Sequence, residues 1–384
     1  MKELRDIIAA WKQLEKQKAA LATLVKVEGS AYRRPGARML ITSDGQQVGT
    51  ISGGCLENDV VRRSLLVLET GIPTLVKYDT TSEDDLIWGL GLGCQGVAYI
   101  LIERLDPNKI NALSVIDKCL STRVAGAVAT VFKTKDAAVK IGGFLAIAFD
   151  GSIVSTIANP QLDIVSKDLQ LVLQQQKSTT QVYGFSNSTI EVFLEVIQPP
   201  ISLVIFGAGF DVLPVVHFAK QLGWYVTVID PLARSQTVER FERSDREAQP
   251  KAVRTILDFP NCTDKIFDRH TVVVEMSHNY LYDLEFLQTL NNIPLKYLGI
   301  LGPKKRTNRL LQDLQYKGCS LPELYSPVGL DIGADNPEEI ALSIIAEIQA
   351  VTQNRQGGFL KDRLTSIHSD SNIQKGTNGT SVGR

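Results

Sequence analysis

Apolar residues near the start of the chain fall at Leu4, Ile7, Ile8, Trp11 and Leu14 with charges between them, the spacing of an amphipathic helix. Leu21 to Val27 is a short apolar run of strand length. Arg38 to Ile41 and Gln47 to Ile51 flank Ser43-Asp44-Gly45, a hairpin signal. Val60, Val61, Leu65 and Leu68 predict a helix over Leu56 to Thr70, ended by Gly71 with Pro73 beyond. Strands at Thr74–Tyr78 and Val97–Glu103 complete a unit with much antiparallel pairing. Alternating strands and a polar helix near Asp163–Gln176 continue it to residue 198.

Gln198-Pro199-Pro200 is a break, since two prolines remove two backbone donors and fix φ. The pattern then changes. Ile201–Phe206 is a continuous apolar strand, followed by glycines, a helix to about Leu222, Gly223 and a second strand, Tyr225–Ile229. That βαβ opening implies a parallel sheet covered on both faces, with Thr271–Met276 and Lys296–Leu301 as later strands. A last helix begins at Asn336-Pro337-Glu338-Glu339, where Glu339 stands at the position that closes a capping box. The fold class is α/β: an N-terminal mixed α+β domain (residues 1–198), then a Rossmann-like doubly wound parallel-sheet domain (199–351). The polar stretch 352–384 is expected to hold no fixed structure.

Composition narrows the function. The 384 residues carry 41 Lys plus Arg against 42 Asp plus Glu, a balance without the cationic surplus that nucleic-acid binding needs. Five cysteines, an odd number with no C-x-x-C, argue against a disulfide framework and a structural zinc site. No apolar run approaches membrane-spanning length, and acids interrupt the first twenty residues, so the working expectation is a cytoplasmic protein with no membrane role.

The glycine loop after the first Rossmann-type strand is Gly207-Ala208-Gly209-Phe210-Asp211-Val212, with Asp230 ending the next strand. Gly207 permits the tight turn, Gly209 lets a phosphate approach, and Asp230 stands where an acid meets a ribose hydroxyl. Val212 replaces the third glycine. Two more loops should open on the same crevice: one carries His278, the other is Gly302-Pro303-Lys304-Lys305-Arg306 at a helix start. Lys304, Lys305 and Arg306 are either a phosphate site or a solvated helix face. His278 is either functional or a packed structural histidine.

The first domain has two glycine clusters, each with a cysteine: Ser52-Gly53-Gly54-Cys55-Leu56-Glu57 and Gly91-Leu92-Gly93-Cys94. A thiol at a helix start among glycines is placed to act as an unshielded thiolate. Cys119, Cys262 and Cys319 have no such setting and are read as packing residues. Arg33, Arg34 and Arg38 either receive phosphate or pair with acids such as Asp79, Glu83, Asp84 and Asp85.

These residues together resemble the XdhC/CoxI family of molybdoenzyme maturation factors, across about residues 20–350. The resemblance is carried by Glu28-Gly29-Ser30, Pro35-Gly36-Ala37-Arg38-Met39, Gly49 to Glu57, Gly91 to Cys94, Gly207-Ala208-Gly209, Val226 to Asp230, Gly299 to Gly302 and Pro327 to Ala334. It implies a protein that binds molybdenum cofactor, promotes its sulfuration with a cysteine desulfurase and delivers it to a xanthine-dehydrogenase-like client. On this reading Cys55 or Cys94 contacts molybdenum. Gly53, Gly54, Glu57, Gly93, Gly207, Gly209, Asp230, His278, Gly302, Lys304, Lys305 and Arg306 line the cofactor, as molybdopterin or a dinucleotide form. The factor is a chaperone rather than a catalyst, and glycine loops in both halves fit a homodimer. Many relatives carry His where this chain has Phe210-Asp211, and His-Asp-His where it has His278-Asn279-Tyr280. Two other readings compete: an NAD(P)-dependent oxidoreductase using Gly207, Gly209 and Asp230, and a sulfurtransferase carrying a persulfide on Cys55 or Cys94.

Overall fold

The computed structural model describes the chain apart from residues 1, 15–16, 80–95, 137, 149–150, 158–160, 186–187, 233, 244–252, 257–265, 317, 320 and 365–384. Contacts divide it into two units, Met1–Pro199 and Pro200–Arg384.

In the first unit, α1 (Lys2–Gln13) leads to β1 (Ala19–Gly29), β2 (Arg38–Thr42), β3 (Gln47–Gly49), α2 (Glu57–Thr70), β4 (Thr74–Asp79) and β5 (Gly96–Leu105). These strands pair antiparallel in the order β3-β2-β1-β5-β4. The same succession then occurs again: α3 (Ala112–Thr122), β6 (Gly126–Thr134), β7 (Phe144–Ala148), β8 (Ile153–Ser155), α4 (Gln161–Gln175), β9 (Thr179–Phe185) and β10 (Ser188–Ile197). Its antiparallel order is β8-β7-β6-β10-β9, strand for strand the order of the first sheet. The unit is an internal repeat. The copies differ most in one link: residues 80–95 join β4 to β5, whereas residues 186–187 join β9 to β10.

Alternation sends one face of each sheet inward. Val25 and Leu101 of the first sheet meet Phe132 and Phe193 of the second, and Leu21 and Leu40 join Val128, Phe144 and Ile197 beneath α1 and α3. On the first sheet, α2 packs through Val60 and Val67; on the second, α4 packs through Val165 and Leu169. Helix α2 stops where its glycine predicts. Gly71 takes φ 72° and donates its N–H to the Val67 carbonyl at 2.8 Å.

The second unit runs β11 (Ser202–Phe206), α5 (Val212–Gln221), β12 (Tyr225–Ile229), α6 (Ser235–Arg243), β13 (Val253–Ile256), β14 (Thr271–Glu275), α7 (Tyr280–Thr289), β15 (Tyr297–Ile300), α8 (Lys304–Tyr316), β16 (Leu324–Tyr325) and α9 (Pro337–Thr352). All pairs are parallel, in the order β13-β12-β11-β14-β15-β16. Strand β11 is apolar from Leu203 to Phe206, as a strand covered on both faces requires. Leu203 and Ile205 pack with Val215 of α5 and Ile344 of α9, while Val204 and Phe206 pack with Phe286 of α7 and Leu310 of α8. The mixed unit followed by a doubly wound parallel sheet is the expected fold class. Among the described residues, no helix is long and apolar enough to cross a membrane.

Two sequence expectations need correction at the C-terminal end. Asn336 caps α9 through Glu339 N–H at 2.9 Å, but the Glu339 carboxylate accepts from Asp335 N–H at 2.9 Å, one residue before the expected partner. The stretch from 352 onward, expected to hold no fixed structure, is described to Leu364. Arg355 N–H bonds the Ala350 carbonyl, Gly357 packs on Leu330, and a 3-10 turn forms at Leu360–Asp362. The cause is the glycine, which accepts a left-handed φ of 76° and brings the chain against Leu330.

Candidate functional site

In the first unit the loop between β3 and α2 displays Cys55, which is exposed. The loop is shaped from inside by Glu57, the first residue of α2, which is only 5% exposed. Its carboxylate accepts the backbone N–H groups of Ile51 (3.2 Å), Ser52 (2.8 Å) and Leu56 (3.1 Å), and the Ser52 hydroxyl. Ser52 Oγ in turn accepts Cys55 N–H at 3.1 Å. Burial alone pushes the Glu57 carboxyl upward, but these donors hold it below the usual carboxylate range. Glu57, expected at the cofactor, therefore faces its own loop: it satisfies N–H groups that a helix start leaves open. Gly54 takes φ 108° with open space where a side chain would stand. Gly53 lies under the Tyr32 ring, 3.7 Å from where its Cβ would be. Tyr32 is 66% exposed. It ties the arginine-bearing loop after β1 to the cysteine loop. Gly96, at the start of β5, presses on the Ser30 carbonyl at the same end of β1. Cys94 and Gly93 lie outside the described residues, as does Cys262. Cys119 is buried, with Gly126 against its sulfur, and Cys319 is half-buried.

Of the arginines after β1, expected to receive phosphate or to pair with Asp79, Glu83, Asp84 or Asp85, the structure pairs two elsewhere. Arg33 forks onto Glu3 of α1, and both bond Thr50. Arg38 is 4% exposed and forks onto Glu195 of β10, which joins the two sheets of the unit. Glu103 of β5 completes this interior group. Burial pushes its carboxyl up to about 7, against the pull of Arg38. Glu103 alternates with Leu101 and Leu105, and Glu195 with Phe193 and Ile197, so a charge on an otherwise apolar face is the sequence signal that could have found them.

In the second unit the strand order reverses between β11 and β14, the switch point where open α/β sheets bind ligands. Gly207 takes φ 122° and backs onto the Met276 carbonyl, so any side chain there would collide with the end of β14. Phe210 is 75% exposed, with the Arg240 guanidinium over its ring at 4.3 Å. The Arg240 Nη1 donates to the Ala208 carbonyl at 2.8 Å. Asp211 reaches across the crevice to His278, Oδ2 to Nε2 at 2.7 Å. His278 is held at φ 58°, a left-handed backbone that non-glycine residues seldom adopt and that clusters at functional sites.

Asp230 does not face the crevice as the glycine fingerprint predicts. It is wholly buried and accepts from Leu232 N–H (3.0 Å), Arg234 Nε (3.0 Å) and the Thr237 hydroxyl (2.5 Å). Burial works against its charge, yet these donors hold it below the ordinary aspartate range. Its local loop has taken the bonds a ribose would need.

Arg306 is likewise turned away from the anion role predicted for it. Its Nη2 meets Asp283 of α7, and its Nη1 lies 3.7 Å from Glu275, both acids being wholly buried. The Glu275 carboxyl stands well above its ordinary range, through burial first and then through its hydrogen bond to Asp283. A charge ending the buried strand Thr-Val-Val-Val-Glu is the sequence signal that could have found this cluster. Lys304 and Lys305 remain exposed beyond Gly302, which turns at φ 127°. The residues brought together at the crevice are thus Gly207, Gly209, Asp211 and His278, with Asp230 and Arg306 withdrawn beneath it.

Comparison with known proteins gives a consistent result. A model of the XdhC and CoxI family matches residues 13–79, and a model of the XdhC Rossmann domain matches residues 203–348. A Bacillus subtilis (strain 168) protein, named as a probable xanthine dehydrogenase subunit, is 36% identical over 337 residues, or 87% of this chain and 93% of that protein. The molybdenum cofactor insertion chaperone PaoD of Escherichia coli (strain K12) is 22% identical over 341 residues, or 88% and 85% of the two chains. A crystal structure from Bacillus halodurans, described as a xanthine dehydrogenase, matches with a TM-score of 0.73 at 31% identity. The match covers 93% of this chain and 97% of that one.

Proposed function

The chain belongs to the XdhC and CoxI family, and on that footing we propose that it is a maturation factor carrying molybdenum cofactor as cargo to a xanthine-dehydrogenase-like client. The observation that carries this reading is the exposed Cys55, raised on a glycine loop whose shape is fixed by a buried carboxylate. The donor set suits the cargo. A thiol is a soft ligand for molybdenum, and the bare glycines beside Cys55 admit a bulky pterin. Similarity to a named insertion chaperone over 88% of the chain supports the same reading. Sulfuration with a cysteine desulfurase, and a homodimer, belong to the proposal as further steps.

The test is to purify the chain from cells making the cofactor and to measure bound molybdenum and pterin, for the wild type and for Cys55→Ala. Wild type retains both, and Cys55→Ala loses at least tenfold, about 1.4 kcal/mol, with its melting temperature unchanged. Equal retention by the two proteins removes Cys55 from the site, and no cofactor on either removes the carrier role. Persulfide transfer through Cys55 is read separately, by incubating with a cysteine desulfurase and labelled cysteine and looking for label on the protein. An NAD(P) oxidoreductase is disfavoured because Asp230 is saturated by its own loop.

A further inference from the structure

We infer that Asp211 is a specificity-determining residue of the second unit: its carboxylate stands where a ligand's diphosphate would lie on the glycine loop, so the crevice rejects dinucleotides. The proposal concerns the crevice alone and does not rest on the maturation role.

Three observations converge. In a G-x-G loop the second glycine is kept bare so that a pyrophosphate can approach its backbone. Here that place is crowded from within, because Asp211 Oδ1 lies close enough to clash with a Cβ built on Gly209. Secondly, Asp211 is the N-cap of α5, a position where aspartate ordinarily accepts a helix N–H, yet its side chain makes no capping bond. Capping therefore does not account for the placement of the carboxylate. Thirdly, the other oxygen is held at 2.7 Å by Nε2 of His278, on the loop after β14, at the cost of a left-handed backbone at His278. The carboxylate thus spans the two loops that frame the switch point.

The electrostatics follow. A helix start and a glycine loop attract an anion, and the Asp211 carboxylate already stands at that place. A diphosphate entering beside it meets like charge within a few ångströms, and Asp230 offers no free oxygen to a ribose in compensation.

The experiment is equilibrium titration of the full chain with ADP, NAD and inorganic pyrophosphate. Four proteins are compared: wild type, Asp211→Asn, Asp211→Ala and His278→Ala. Wild type shows no saturable binding at millimolar ligand. Asp211→Asn keeps the shape without the charge and gains diphosphate affinity by about 100-fold, as does Asp211→Ala. His278→Ala releases one oxygen of the carboxylate but keeps its charge, and gains less than either aspartate variant. Should Asp211→Ala melt early, Asp211→Asn carries the test alone. Tight binding by wild type overturns the proposal. So does an absence of gain in a folded Asp211→Asn, or a gain in His278→Ala equal to that of the aspartate variants.

Discussion

Both carboxylate oxygens of Glu57 are taken up by the loop that displays Cys55, so the shape of that loop depends on a side chain buried behind it. Glu57→Ala leaves several loop N–H groups without a partner, which costs about 1–3 kcal/mol. The expected outcome is a lower melting temperature together with cofactor retention as poor as that of Cys55→Ala. Glu57→Gln keeps an acceptor and loses less of both, as melting curves and bound-pterin assays will show. At this scale the sequence is a good guide to type and a poor one to direction. Cysteine and glycines at a helix start announce an open loop, and the loop is open. Glu57, Asp230 and Arg306 look like ligands by position. Each turns inward, because a charged side chain one residue from a loop can serve the loop or the solvent, and only its tertiary neighbours decide.

Among the elements, the fork of Arg38 on Glu195 joins β2 of one sheet to β10 of the other, with Gly36 pressed against the same carboxylate. Buried pairs of this kind specify a contact more than they strengthen it. Arg38→Met alone strands the Glu195 charge and lowers unfolding free energy in urea by about 3–5 kcal/mol. The double variant Arg38→Met with Glu195→Leu recovers most of that loss; a double variant no better than the single one would show that the pair stabilises outright. Element types are largely legible in sequence, since apolar spacing and terminal glycines mark α2, α5, β11 and β12 closely. Their partners are not. Residues 38 and 195 are far apart in the chain, and nothing in either stretch names the other. The repeat in the first unit, by contrast, is written in the sequence: Ala20-x-Ala22-Thr23-x-x-Lys26 and Asp44-Gly45-x-x-Val48-x-Thr50-Ile51 recur as Ala127-x-Ala129-Thr130-x-x-Lys133 and Asp150-Gly151-x-x-Val154-x-Thr156-Ile157.

For the molecule as a whole, two of the described carboxyls stand above their ordinary value, Glu103 of the first unit at about 7 and Glu275 of the second higher still. A raised carboxyl is protonated in the folded state while the unfolded chain ionises it. Its contribution is fully present below the ordinary carboxylate pKa and is lost as pH climbs through the folded value. The lowered acids Glu57 and Asp230 act in the opposite sense, but only under acid conditions. Stability should therefore decline from about pH 5 toward pH 9, read as a falling melting temperature. Glu103→Gln should flatten the first part of that decline, by an amount on the order of 1–3 kcal/mol. A melting temperature that rises over this range would mean that Glu103 and Glu275 stay ionised in the fold.

The twofold build of the first unit has a consequence for how such a protein can change. Between its last two strands one copy has two residues, while the other has sixteen and also bears the Cys55 loop. The plainer copy is a ready-made ballast: it supplies packing faces to its twin and carries no such insertion. Its twin is free to lengthen, shorten or rewrite its loops without dismantling the scaffold beneath them. A lineage can thus retune what it holds by editing one half while the other keeps the pair folded.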